Sequence, residues 1–252
     1  MSELRELLRY AHMGFGFAGL VAFWIPVFAR KGSVGHVRFG TVFLWCVYGI
    51  AASAMFATSH EMVEAIRAGE GPATNPAGFG FAVFLFYIAV ITLASGRHGY
   101  RVVETRKDPR AIDTTAHRLL ACASIGGSLI TIGYALAFWN RLSIILLALG
   151  PVGLGIGSGI LRYMRGPPVS KMSWWYEHMG AMLGAGIAFH TAFIVFGARR
   201  LFDYSGALGS FSWIPWVLPA AVGIPASISW TRHYRRKFGD LPRAGAKVEV
   251  RA

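Results

Sequence analysis

Seven apolar stretches recur along the chain, separated by short polar segments. A helix needs about 20 mostly apolar residues to cross a bilayer, because each residue rises about 1.5 Å and the hydrocarbon core is about 30 Å thick. Windows of that length predict spans at residues 10–29, 36–59, 77–95, 117–139, 142–161, 175–198 and 213–231. The pattern predicts an all-α, polytopic membrane helix bundle with seven transmembrane helices, in which residues 1–231 form a single domain.

The basic residues lie mostly in alternate connecting segments, and this predicts the direction of the spans. If the N-terminus is outside, 19 of the 25 lysines and arginines fall in cytoplasmic segments. Short cytoplasmic loops of membrane proteins are enriched in lysine and arginine. We therefore predict an outside N-terminus, a cytoplasmic C-terminus and a basic cytoplasmic tail over residues 232–252.

The overall composition agrees with a membrane class and changes how the net charge is interpreted. Charged residues make up 15% of the chain, against about 25% in a typical soluble domain. A net charge of +13 would favour nucleic acid as the partner of a soluble domain, but here it resides between apolar spans. We therefore expect the lipid bilayer, with anionic lipids at the cytoplasmic face, as partner and no nucleic acid.

Histidine is nearly the only titratable side chain predicted at membrane depth. Six of the eight histidines lie at or inside predicted span ends, three near each face: His12, His60 and His190 outside, and His36, His117 and His178 inside. The three inner ones each begin a predicted helix. His190 is the deepest, and an ionisable side chain inside a membrane is expected to have a partner or a role.

Small and weakly polar residues continue from some of these histidines along one helix face. The clearest stripe consists of His117, Ala121, Ser124, Ser128 and Thr131. Imidazole binds haem iron, and small neighbours leave room for the porphyrin. The pattern therefore predicts haem b, with all six histidines as cofactor-binding candidates and with His12 and His190 as metal ligands.

Glycine is concentrated in the predicted fifth and sixth spans. The fifth has five glycines and Pro151, and the sixth has Gly180 and Gly184 at a spacing of four. Small residues let membrane helices approach closely, so helix packing is the ordinary interpretation. The alternative is that the same glycines make room for a flat ligand.

Several classes of protein lack their characteristic pattern in this sequence. The chain has no HExxH motif, no HxxHH cluster of the di-iron desaturase kind and no nucleotide-binding glycine motif before a strand. Apart from Glu177 in the first turn of the predicted sixth span, no carboxylate lies inside a predicted span, unlike in ion-coupled transporters. The seventh span has no lysine that could carry retinal.

The segment 31–40 resembles an uncharacterised family of bacterial predicted membrane proteins. Its members have a histidine near the start of the first helix and a Lys-Gly-Ser…His-Arg…Gly turn into the second. Here the segment reads Lys-Gly-Ser-Val-Gly-His-Val-Arg-Phe-Gly, so that Val37 stands between His36 and Arg38. The resemblance covers the chain to the end of the predicted second span. It implies a multi-pass protein of the bacterial inner membrane, with His12 and His36 as residues of interest.

The leading functional hypothesis is a b-type haem or quinone-linked redox protein of electron transport. Histidine pairs on neighbouring helices would hold one haem near the outer face and a second group near the inner face. Two alternatives stay open. One is a non-enzymatic accessory or structural subunit of a complex with other membrane subunits, and the other is a small-molecule transporter.

Overall fold

The computed structural model describes residues 2–166, 170–199, 202 and 213–241. Over these residues every regular element is helical. Seven helical segments are long and apolar enough to cross a membrane. The predicted fold class is thereby confirmed, whereas the side of the membrane on which each terminus lies stays a prediction.

The helices follow one another through short connections. In chain order they are α1 (Ser2–Phe28), α2 (Val34–Arg67), α3 (Pro76–Glu104), α4 (Thr115–Ala137), α5 (Ser143–Leu149), α6 (Val152–Arg165), α7 (Ser173–Ala192) and α8 (Ile214–Lys237). A 3-10 turn, Pro109–Ile112, precedes α4, and a π-helical segment, Phe193–Ala198, continues α7. The fifth span consists of α5 and α6, and the sixth of α7 with the π-helical segment. Helix α3 is central, since α2, α4 and α7 all pack against it.

Two helices extend well beyond the apolar windows that predict them. α2 continues to Arg67 and α3 to Glu104, past the predicted ends at residues 59 and 95. Backbone hydrogen bonding does not stop where apolar composition stops, because the polar side chains of the last turns can reach water. Functional residues in those turns therefore occupy fixed helical positions.

Capping side chains place two of the predicted histidines in the first turns of their helices. Ser33 Oγ accepts the backbone N–H of His36, and Thr114 Oγ1 accepts that of His117. Such caps satisfy N–H groups that have no partner in the first helical turn. The prediction that these histidines begin helices is confirmed.

The fifth span is interrupted at Pro151, and neighbouring helices supply the hydrogen bonds that the interruption requires. Proline has no N–H and clashes with the preceding turn of a helix. The Tyr87 hydroxyl of α3 donates to the carbonyl of Gly150 at 2.7 Å and accepts the N–H of Gly153 at 2.7 Å. Ser128 of α4 donates to the same carbonyl. The break is thus held by side chains from two other helices.

The glycines of α6 face in two directions. A Cβ atom on Gly157 would lie 2.4 Å from the carbonyl oxygen of Ala121, and one on Gly153 would meet the backbone of α4 at 2.6 Å. At Gly155 and Gly159, by contrast, no atom of the described residues lies within 4 Å of where a Cβ atom would stand. Close helix packing therefore explains Gly153 and Gly157, but it does not explain Gly155 and Gly159.

The predicted basic tail begins inside a helix. α8 continues through its two internal prolines, so residues 232–237 belong to the last helix. In the turn that follows, Asp240 accepts a hydrogen bond from the Tyr176 hydroxyl at 2.6 Å, and this bond holds the pKa of Asp240 below its ordinary value. Residues 242–252 of the predicted tail lie outside the described residues.

Candidate functional site

A cavity of about 1440 Å³ lies between α1, α2, α3, α6, α7, α8 and the π-helical segment. Ordinary small-molecule pockets measure about 300–1,000 Å³, so this one can take a large or elongated ligand. Its middle is lined by apolar side chains, among them Phe84, Ile88, Ile156, Phe189 and Trp216. The cavity is therefore the natural candidate for a binding site.

Polar side chains concentrate at the two ends of this cavity. One end, the His12 end, is lined by His12, Ser53, His60, Glu61 and Glu64. The other, the His98 end, is lined by Ser95, His98, Tyr176, Glu177 and Arg235. Because successive spans run antiparallel, the start of α1 and the end of α3 lie towards opposite faces of the bundle. The cavity thus has an apolar middle and two hydrogen-bonding ends.

Glycines widen the middle of the cavity along two helices. Gly155 and Gly159 of α6 and Gly180 and Gly184 of α7 all line it. Within the described part of the chain, nothing lies within 4 Å of where a Cβ atom would stand on any of the four. The pair on α7 therefore serves the cavity instead of a helix–helix contact. This supports the alternative interpretation of these glycines, as room for a ligand.

His98 is the centre of a buried polar cluster at its end of the cavity. Its side chain is 3% exposed. Its Nδ1 lies 3.1 Å from Nε2 of His117, and its Nε2 lies 3.3 Å from Oε2 of Glu177. The ring of Tyr163 packs edge-on against it. The sequence does not predict His98 as a site residue. The apolar window of the third span ends at residue 95 and places His98 in a loop.

With both imidazoles neutral, the chemistry of the partners assigns the hydrogens of this cluster. A carboxylate only accepts, so Nε2 of His98 donates to Glu177. The neutral ring of His98 then has its lone pair on Nδ1, which accepts the Nε2–H of His117. Nδ1 of His117 is left unprotonated, and among the described residues this buried atom has no hydrogen-bond partner.

His12, a predicted metal ligand, lines the opposite end of the cavity and is held by Ser53. The Ser53 hydroxyl donates to the carbonyl of Gly49 at 2.7 Å, so it can only accept from Nδ1 of His12, 2.9 Å away. Nε2 of His12 is therefore the unprotonated nitrogen. His60, predicted beside it, lines the same end of the cavity.

His190, the other predicted metal ligand, has both ring nitrogens engaged. Trp24 can only donate, so its Nε1–H binds Nε2 of His190 at 3.0 Å. Nδ1 of His190 donates to the carbonyl of Gly186 at 2.7 Å. No hydrogen bond or ring contact joins His190 to His12 in the described structure. Their pairing on one haem stays a prediction.

Substituting Trp24 tests the first of these hydrogen bonds. Trp24→Phe removes the donor to His190 and is expected to lower the free energy of unfolding by about 0.5–1.5 kcal/mol. Denaturant unfolding of the detergent-solubilised protein, followed by circular dichroism, measures the change. Trp45→Phe is the control, since Trp45 is 65% exposed and faces away from the bundle. Equal losses in the two variants would contradict the assignment.

The structure brings together His36 and His178, two of the three histidines predicted near the inner face. Their ring centroids lie 6.2 Å apart. Nδ1 of His36 donates to the carbonyl of Pro26 at 3.1 Å, and Nδ1 of His178 donates to that of Gly99 at 2.8 Å. Lys31 lies close enough to interact electrostatically with both rings. The positive charge of Lys31 makes it less favourable for a metal cation to lie between the rings of His36 and His178.

Metal binding by a larger side-chain cluster finds no support. Within the described part of the chain, no group of three or more His, Cys, Asp or Glu side chains is placed to hold a metal ion. The stripe that begins at His117 is buried, but its members Ala121, Ser124 and Ser128 pack against α6 instead of facing open space. Any cofactor would therefore have to use the cavity or pairs of histidines.

Fold and site together define a class, an all-α multi-pass membrane protein with a long apolar cavity that ends in histidine-containing polar clusters. No protein-family model, curated protein or solved structure matches the chain. The family resemblance over residues 31–40 therefore stays a prediction.

Proposed function

We propose that the chain is a protein of the bacterial inner membrane that binds a quinone-type ligand in the central cavity and takes part in electron transfer. The observation that carries this proposal is the cavity, which is long, apolar in the middle and polar at its ends. A quinone has a hydrogen-bonding ring and an isoprenoid tail. Its ring matches a polar end, and its tail matches the apolar middle.

The His98 end is the better place for the ring. Glu177 is half-exposed there and can accept a hydroxyl hydrogen of the reduced ligand. Arg235 lines the same end and can donate to a ligand oxygen. The glycines of α6 and α7 leave space beside the path that the tail would take. Polar contacts at one end and apolar contacts along the cavity would orient the ligand.

A cavity-filling variant, compared with a matched control, tests the proposal. Gly184→Leu places a side chain in the open space of the cavity and is expected to weaken decylubiquinone binding by about tenfold or more. Quenching of tryptophan fluorescence in nanodiscs measures binding, because Trp216 lines the cavity.

Gly133→Leu is the matched control for this measurement. Gly133 lies on α4, is exposed, and has nothing within 4 Å of its Cβ position. It does not line the cavity. Equal affinity in the two variants, or no saturable binding of decylubiquinone by the unaltered protein, would overturn the proposal.

A b-type haem is a second candidate, favoured by the hydrogen bonding of four histidines. Each donates its Nδ1–H to an oxygen and keeps Nε2 unprotonated: His12, His36, His178 and His190. Nε2 of His190 already accepts from Trp24, so iron binding there would have to break that bond. Metal-bound histidines characteristically donate their second nitrogen in this way. His12 alone of the four lines the cavity. A Soret band lost in His12→Ala would support this candidate, and a colourless preparation from haem-replete cells would exclude it.

Anionic lipids are proposed as further partners at the cytoplasmic face. The last turn of α8 carries Arg235, Arg236 and Lys237. Basic clusters beside a membrane attract acidic head groups by about 1 kcal/mol per residue. The accessory-subunit alternative would instead be supported by co-purification with a larger complex and by unchanged behaviour of every histidine variant.

A further inference from the structure

Three ionisable side chains at the His98 end are hydrogen-bonded in series. Glu177 comes from α7, His98 from α3 and His117 from α4, with contacts of 3.3 Å and 3.1 Å. The side chain of Glu177 is 43% exposed, whereas His98 is 3% and His117 1% exposed. The series therefore leads from an accessible carboxylate to a fully buried imidazole.

The series also leads away from the cavity. Glu177 and His98 line the cavity, but His117 does not. His117 lies behind them in the first turn of α4, next to the loop that precedes that helix. A proton passing along the three groups would therefore move between the cavity and the end of the bundle.

Among the described residues, the hydrogen bonding of His117 leaves one of its ring nitrogens open to a proton. Buried polar atoms in folded proteins are nearly always hydrogen-bonded. His190 meets this expectation, since both of its nitrogens are engaged. Nδ1 of His117 does not meet it, because among the described residues this atom is buried and unpaired. An unprotonated nitrogen at the end of a hydrogen-bonded series is a position that can take up a proton.

We infer that Glu177, His98 and His117 form a proton relay that delivers protons to the head group of the ligand in the cavity. A hydronium ion at the end of the bundle gives a proton to Nδ1 of His117 and becomes water, and the Nε2–H of His117 passes to Nδ1 of His98. The Nε2–H of His98 then passes to the carboxylate of Glu177. One proton enters and the carboxylate is neutralised, so charge balances.

The last transfer is to the ligand. The O–H bond of protonated Glu177 breaks, and a new O–H bond forms on an anionic oxygen of a hydroquinone or another phenol-like head group. Glu177 regains its negative charge, and the ligand becomes neutral. The identity of this head group rests on the proposed function, whereas the relay itself rests on the three side chains.

Charged and titratable side chains of α3, of α6 and of the loop before α4 lie beside the relay. Arg97 and Arg101 of α3 and Asp113 of the preceding loop interact electrostatically with His117. Tyr163 of α6 contacts His98.

The first test needs no ligand. The full chain in nanodiscs, labelled with ¹⁵N-histidine and assigned with His98→Gln and His117→Gln, reports the protonation of each ring nitrogen by NMR. We expect hydrogen on Nε2 and a lone pair on Nδ1 in both rings, and a coupled titration of the two on acidification. Hydrogen on Nδ1 of His117, or independent titration of the two rings, would overturn the relay.

The second test follows a proton into the cavity. The probe is a long-chain alkyl 4-nitrophenol, whose absorption changes when its phenolate is protonated. After a stopped-flow drop in pH, we expect protonation of the bound probe to be slower by about tenfold or more in His117→Gln than in the unaltered protein. An unchanged rate would contradict the relay.

A matched control and a separate outcome make the second test decisive. His233→Gln removes an exposed histidine of α8 that lies outside the cavity and the relay, and its rate should not change. Thermal melting of each variant checks folding. If the unaltered protein binds no quinone but shows the expected ring protonation and titration, the proposed ligand is wrong and the relay stands.

Discussion

Replacing Gly157 with alanine is expected to lower the free energy of unfolding by about 1–3 kcal/mol or more, the typical cost of overpacking a filled interior. The new Cβ would stand 2.4 Å from the carbonyl oxygen of Ala121. That oxygen belongs to the backbone of α4 and cannot rotate away as a flexible side chain could. α6 must therefore move away from α4, and the contacts along their shared face must loosen.

The matched control lies two residues away on the same helix. Gly155→Ala adds the same methyl group at a position where nothing lies within 4 Å. It is expected to leave the midpoint of unfolding unchanged or slightly raised, since alanine has the better helix propensity. Thermal unfolding of the two variants in one detergent measures the difference. Equal destabilisation would show that α6 does not pack on α4 as described.

Replacing Tyr87 with phenylalanine is the second substitution with a large expected effect. The hydroxyl of Tyr87 accepts the N–H of Gly153 and donates to the carbonyl of Gly150 at the interruption of the fifth span. Leaving a buried backbone N–H without a partner costs about 1–3 kcal/mol. Denaturant unfolding followed by circular dichroism should show a loss of that size.

Two further variants show whether the loss arises at the interruption. Tyr100→Phe removes a hydroxyl from an exposed tyrosine of the same helix and should have little effect. Ser128→Ala removes the other side chain that binds the carbonyl of Gly150. Because both hydroxyls serve one carbonyl, the double variant should deviate from additivity. Strict additivity would mean that the two side chains do not act together.

Local composition accounts for the fold to a large extent. Each of the seven spans falls on an apolar window, because lipid excludes charge from any helix that crosses it. Helix starts at His36 and His117 follow from the capping residues before them. Helix ends do not follow in the same way. α3 continues nine residues past its window, since a helix can leave the hydrocarbon without breaking.

That continuation explains why the candidate site was only partly predictable. The apolar window places His98 in a loop, where a histidine has no fixed neighbours. In the structure His98 lies on the last turns of α3. Its contacts with His117 and Glu177 join three helices that are distant in sequence. No local pattern contains such a contact. The position of His117 near the inner face is predictable from the sequence, but its hydrogen bond to His98 is not.

The glycines show the same limit in a different form. Gly153 and Gly157 have a spacing of four, and so do Gly180 and Gly184. The first pair is pressed against a neighbouring helix, and the second faces open space. Spacing determines which residues share a helix face, but it does not determine what that face meets. Only the three-dimensional arrangement separates the two pairs.

The apolar middle of the cavity has a consequence for selectivity. Acyl chains of the surrounding bilayer have the same chemistry as an isoprenoid tail and are present at far higher concentration. They compete for the middle of the cavity by mass action, so the folded protein is stabilised by whatever occupies it. Discrimination between a cognate ligand and bulk lipid must therefore arise at the two polar ends. There, the carboxylates and imidazoles penalise any occupant that removes them from water without hydrogen-bonding to them.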